Sequence, residues 1–134
     1  MAGQPRLWFD KWVYLDASTG QNTWRLPANE LLPFGDARGV LFTVEYAGVG
    51  AGAASVELIF ERSSAATARS ALFEAMNVTP IPLTQARSGF LRAFSVDGTA
   101  GDKHPRGVGS VSLENTSATD WAAVRVRVWY AIQD

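Results

Sequence analysis

The chain has 134 residues, twelve basic against thirteen acidic side chains, and a formal net charge of −1. Cysteine is absent, which excludes disulfides, thiolate metal sites and a cysteine nucleophile. A near-zero charge with no block of like sign also lacks the field that draws nucleic acid. A chain of this length fits one domain that buries about two thirds of its unfolded surface and folds without staples. The start, MAGQPRLWFDKW, has no apolar h-region, and no stretch approaches ~20 apolar residues. A soluble chain with neither signal peptide nor membrane span is therefore expected. Ten of the basic residues are Arg and two are Lys, alongside five Trp. Protein interfaces favour Arg and Trp and avoid Lys, although a GC-rich genome produces the same Arg excess.

In chain order, strand-like runs lie at LWFDKWVYLD (7–16), NTWRL (22–26), GVLFTVEYA (39–47) and SVELIFER (55–62). SGFLRAFSV (88–96), GVGSVSLE (107–114) and the terminal strand in WAAVRVRVWYAIQD (121–134) follow. STGQN, PFGDARG, GVGAGAA and DGTAGDKHPRG separate them with turn chemistry. Short runs at this spacing predict an all-β fold, a two-sheet β-sandwich of jelly-roll type with about eight antiparallel strands. Residues 1–6 read as an N-terminal arm and 7–134 as the single sandwich domain. SSAATARSALFEAMNV (63–78) fits either an eighth strand or a short helix near 65–76, because a short apolar run has no decisive period.

Parity names the core. Val40, Phe42, Val44 and Tyr46 share a face, as do Val56, Leu58 and Phe60, Val111 with Leu113, and Val124, Val126, Val128, Tyr130 and Ile132. The first strand is apolar on both parities: Leu7, Phe9, Val13 and Leu15 on one, Trp8, Trp12 and Tyr14 on the other. A strand of that kind is covered on both faces, by a loop of its own domain or by a partner. Arg125, Arg127 and Trp129 take the outward parity of the last strand, and Glu45 and Glu57 are outward on theirs. If the third and fourth strands form a hairpin, Glu45 faces Glu57 and the pair needs a cation. In a jelly roll, the last strand sits between the first and third, and an arginine reaches Glu45. The arginines are thus a salt-bridged face or a docking surface, with Trp129 stacked on Arg127 or seated in a partner's pocket.

Catalytic chemistry is sparse. The only histidine, His104, shares a loop with Asp97 and Asp102, but Lys103 and Arg106 oppose a cation there and the spacing fits no defined metal site. No serine has a strand–turn–helix context, Glu45 and Glu57 sit on outward faces rather than in a cleft, and GVGAGAA lacks the lysine of a phosphate loop. No enzyme, metal or cofactor is expected. NVT (77–79) and NTS (115–117) match the glycosylation pattern but matter only in a secreted chain.

The short strands, the arm MAGQPR and the terminal VRVRVWYAI make the whole chain resemble the small jelly-roll cement, or decoration, proteins of tailed bacteriophage capsids. The resemblance is one of architecture, with no motif to carry over. It implies a virion protein, made in the host cytoplasm, that binds the major capsid protein as a homodimer or homotrimer and reinforces the lattice. Trp8, Trp12, Tyr14, Arg125, Arg127 and Trp129 are then the expected partner-binding residues. The alternative is a carbohydrate-binding module or phage fibre or adhesin domain that uses the same aromatics as a platform. Coplanar aromatics open in the single chain favour sugar, and aromatics covered by another subunit favour assembly.

Overall fold

The computed structural model of the chain describes residues 3–63, 73–86, 89–96 and 101–133. Ten strands form: β1 (Arg6–Asp16), β2 (Thr23–Arg25), β3 (Leu32–Gly35), β4 (Gly39–Val49), β5 (Val56–Ser63), β6 (Glu74–Ala75), β7 (Ile81–Pro82), β8 (Phe90–Ser95), β9 (Gly107–Asn115) and β10 (Trp121–Gln133). One antiparallel sheet has the order β1-β10-β4-β8. The other has β2-β9-β5-β6, with β3 also on β9 and β7 also on β5. The chain is thus a jelly-roll β-sandwich. β4 and β5 lie in different sheets, so the hairpin that would oppose Glu45 to Glu57 does not form; Glu57 faces Glu114 instead.

The strand count exceeds eight because prolines interrupt pairing. Pro27 precedes a 3-10 turn at Ala28–Glu30 and the chain re-enters the sheet as β3, within a region expected to be a turn. The two-residue strands β6 and β7 share the far edge of β5. The expected helix or strand near 65–76 falls mostly on 64–72, outside the described residues; its described end, Glu74–Ala75, is strand.

Parity explains the core, because every second residue of β4, β5, β9 and β10 points between the sheets. Val40, Phe42, Val44, Leu58, Phe60, Val111, Val124, Val126 and Val128 are fully buried. The sheets meet at Phe42 of β4 and Phe60 of β5, whose rings stack at 4.2 Å and 11°. Phe94 of β8 meets both edge-on, at 6.1 and 5.8 Å.

The first strand departs from strict alternation. Leu7 pairs with Trp129 and Phe9 with Val128, so Trp8 is the extra residue of a β-bulge. The bulge reverses the expected orientation of two side chains. Leu7 is exposed rather than buried, and Trp8 turns onto the core, stacked on Phe42 at 5.7 Å. Its indole N–H donates to the Glu30 carbonyl at 2.7 Å, and Lys11 pairs with the Glu30 carboxylate at 2.8 Å. The Pro27–Leu31 connector is therefore fastened by two side-chain contacts to β1, an edge strand of its sheet.

Both glycosylation-like asparagines are structural. Asn77, 3 % exposed, accepts from the Phe60 N–H at 2.8 Å and donates to the Thr79 carbonyl at 2.9 Å. Asn115 donates to Asp120 and accepts from Ser117 N–H, closing the turn that leads into β10. A buried amide with these bonds takes no glycan in the folded chain. Residues 3–5 of the expected arm lie beside β10, where Gly3 N–H donates to Ile132 at 2.8 Å.

Because the Phe42–Phe60 stack joins the sheets, Phe60→Ala is expected to lower the unfolding free energy by about 3–5 kcal/mol in chemical denaturation. A change under ~1 kcal/mol places the inter-sheet contact elsewhere.

Candidate binding face

The outer face of the β1-β10-β4-β8 sheet follows from the register. Rows across it read Tyr14–Ala123–Val49, then Trp12–Arg125–Ala47, then Asp10–Arg127–Glu45, then Leu7–Trp129–Thr43–Leu91. Paired residues share a face, so these side chains form one surface. Trp12 is 61 % exposed, Tyr14 55 %, Trp121 44 %, Leu7 52 % and Leu91 56 %. Apolar groups thus occupy both ends of the face, and charges cross its middle.

The central charges are paired with one another. Arg125 grips Asp10 with Nε and Nη2 at 2.9 and 2.7 Å. Arg127 donates to Glu45, as the jelly-roll order predicts, and its guanidinium lies 5.5 Å from the Trp129 ring centre. That stack leaves Trp129 half-buried. Between the pairs lies a shallow cavity of about 180 Å³ lined by Glu45, Tyr46, Ala47, Arg125 and Arg127. The hydrogen bond from Arg125 holds the Asp10 carboxyl below its ordinary value of 3.8, and Asp10 in turn raises Arg125.

One aromatic cluster has a distinct local cause. Tyr14 and Trp121 lie ring beside ring, 6.0 Å apart and 26° from coplanar. The Trp121 ring rests against Gly50, whose φ is +94° and whose missing Cβ would meet the indole at 2.9 Å. Only glycine supplies both the backbone angle and the room. Tyr14 donates to Asp16 at 3.1 Å, which raises the phenol above its ordinary value. Of the six residues expected in the site, Trp12, Tyr14, Arg125, Arg127 and Trp129 come together on this face; Trp8 does not. Trp121, Leu7 and Leu91 were missed. The odd parity that Trp121 shares with Arg125 would have revealed it, whereas Leu7 required the bulge.

The opposite outer face is more polar. There Arg25 holds Glu61 at 2.9 and 3.0 Å, and Glu57 faces Glu114 beside Ser112 and Thr23. In the loop near His104, Asp102 accepts from Val78 N–H at 2.8 Å and pairs with Arg92. Asp97 lies outside the described residues. Among the described residues no three His, Asp or Glu side chains converge as metal ligands.

No protein-family model matches the chain, and no curated protein does. Among solved structures it is similar to the Yersinia pseudotuberculosis-derived mitogen, with a TM-score of 0.44 and 10 % identity. That match covers 98 % of this chain and 87 % of the other.

Asp10 has a depressed folded-state pKa. Its stabilising contribution is therefore fully present above the unfolded value and lost as pH falls through the folded one. NMR titration is expected to place the Asp10 carboxyl midpoint below 3.8, and Arg125→Gln to move it up towards that value. An unchanged midpoint in Arg125→Gln means the bidentate pair does not persist in solution.

Proposed function

We propose that this chain is a non-enzymatic structural protein that docks on another protein, acting as a cement or decoration protein on a virion capsid. The observation that supports this is the composition of one outer face: exposed aromatic and aliphatic groups at both ends, with the central charges paired among themselves. Paired charges cost less to desolvate than single ones, so such a face can be covered by a flat partner while its apolar ends provide affinity. Trp121 and Trp129 are eight positions apart on one strand, about 26 Å, which is the breadth of a protein contact. The major capsid protein is the partner that the jelly-roll resemblance suggests. On a repeating lattice many weak contacts of this kind add up, since each bound site raises the effective concentration at the next.

A carbohydrate-binding reading is favoured by one observation, the near-coplanar Tyr14–Trp121 pair open beside Trp12. Such a platform can stack on a sugar ring. It accounts for one end of the face and leaves Leu7, Trp129 and Leu91 without a role.

The test is co-sedimentation with cement-free capsid shells of the source virus. Trp12→Ala is expected to weaken retention by about thirtyfold, the effect of losing a Trp anchor. Because Trp12 is exposed, unfolding free energy should stay within about 0.5 kcal/mol. No shell binding, together with glycan-array binding lost in the same variant, replaces the assembly role with sugar recognition.

A further inference from the structure

The geometry points to a partner for this face that is not a second copy of the chain: a protein surface with carboxylates at its centre and apolar side chains on either side. This inference rests on the docking role proposed above and specifies the occupant.

It follows from the order of charges. Across the strands the face reads acid, base, acid: Asp10 on β1, Arg127 on β10 and Glu45 on β4, with Arg125 one row along β10 and bonded to Asp10. A symmetric dimer is isologous, so each residue of the shared patch meets the patch turned about a two-fold axis. If the axis runs along β10, Asp10 lies over Glu45 of the other copy. If it runs across the strands, Asp10 lies over Asp10. In both cases Arg127 lies over Arg127, and with the axis along β10 Arg125 also lies over Arg125. Like charges set against each other at the core of a contact suppress that pairing.

The same order selects for the opposite charge. Arg125 commits Nε and Nη2 to Asp10, and Arg127 commits Nη2 to Glu45, which leaves Nη1 of each without a carboxylate partner in the ion pairs described. A guanidinium presents five N–H donors. Both side chains are about two-fifths exposed and line the cavity of about 180 Å³ together with Glu45, Tyr46 and Ala47. A partner's Asp or Glu entering there completes the guanidinium forks, while apolar neighbours cover Trp12 and Tyr14 on one side and Leu7 and Leu91 on the other. Charge therefore sets register and excludes self-association, and apolar area holds the complex.

A defined probe tests this: the same chain with these charges reversed, Asp10→Arg, Glu45→Arg, Arg125→Glu and Arg127→Glu. Sedimentation velocity compares wild type alone, the reversed variant alone and their equimolar mixture. Neither protein is expected to self-associate through this face. The mixture should form a 1:1 complex at least about tenfold tighter than either self-pair, weakened by salt and by Trp12→Ser. A wild-type dimer abolished by Trp12→Ser overturns the inference while the docking role stands. Three monomeric samples overturn the inference, and the docking role then stands or falls on the shell co-sedimentation. Should the reversed variant fail to fold, Arg125→Gln with Arg127→Gln replaces it. Combined with Asp10→Asn and Glu45→Gln, that pair of substitutions removes every charge that would meet its like and is expected to let the chain self-associate where wild type does not; a monomer overturns the inference.

Discussion

The fold and its surface both depend on β10, a thirteen-residue strand paired along nearly its whole length with β1 on one side and β4 on the other. A strand hydrogen-bonded on both edges cannot slip by one residue without turning every valine outward and every arginine into the core. Val124, Val126 and Val128 lock the register from inside, and the Arg127–Glu45 and Arg125–Asp10 pairs agree with it from outside. Surface pairs of this kind contribute at most ~1 kcal/mol each, so the valines provide the stability and the ion pairs the specificity.

That placement explains why one outer face differs from the other. The jelly-roll order brings β1, which carries Trp12 and Tyr14, next to the arginines of β10, and brings Glu45 of β4 to the other side. On the second sheet β9 and β5 set Glu57 against Glu114, and a partner there would have to desolvate two like charges. The first sheet instead neutralises its charges in pairs and leaves its apolar groups open. Local backbone chemistry refines this face: Gly50 lets the Trp121 ring settle beside Tyr14, and the bulge at Trp8 exposes Leu7 at the opposite end.

In β1 the exposed face and the strand edge meet different surroundings. Its outward residues open to solvent, while the Glu30 connector is fastened to this edge strand through Trp8 and Lys11.

Alternation alone determined the all-β class, the buried residues of β4, β5, β9 and β10, and the outward set Trp12, Tyr14, Arg125, Arg127 and Trp129, because a strand has only two faces. It also put Glu45 within reach of an arginine once jelly-roll order was assumed. Where alternation breaks, the sequence is silent. The bulge that turns Trp8 inward depends on Phe42 and on the Glu30 carbonyl, 34 and 22 residues away. Asn77 and Asn115 match a glycosylation pattern in the sequence, whereas in the fold Asn77 accepts from the Phe60 N–H of a distant strand and Asn115 closes the turn to Asp120. Strand pairing, not composition, made the two outer faces unlike, since which strands lie side by side is settled by how the two sheets close over the Phe42–Phe60 stack. Side-chain direction is local and periodic; neighbourhood is long-range, and only the closed sandwich decided it.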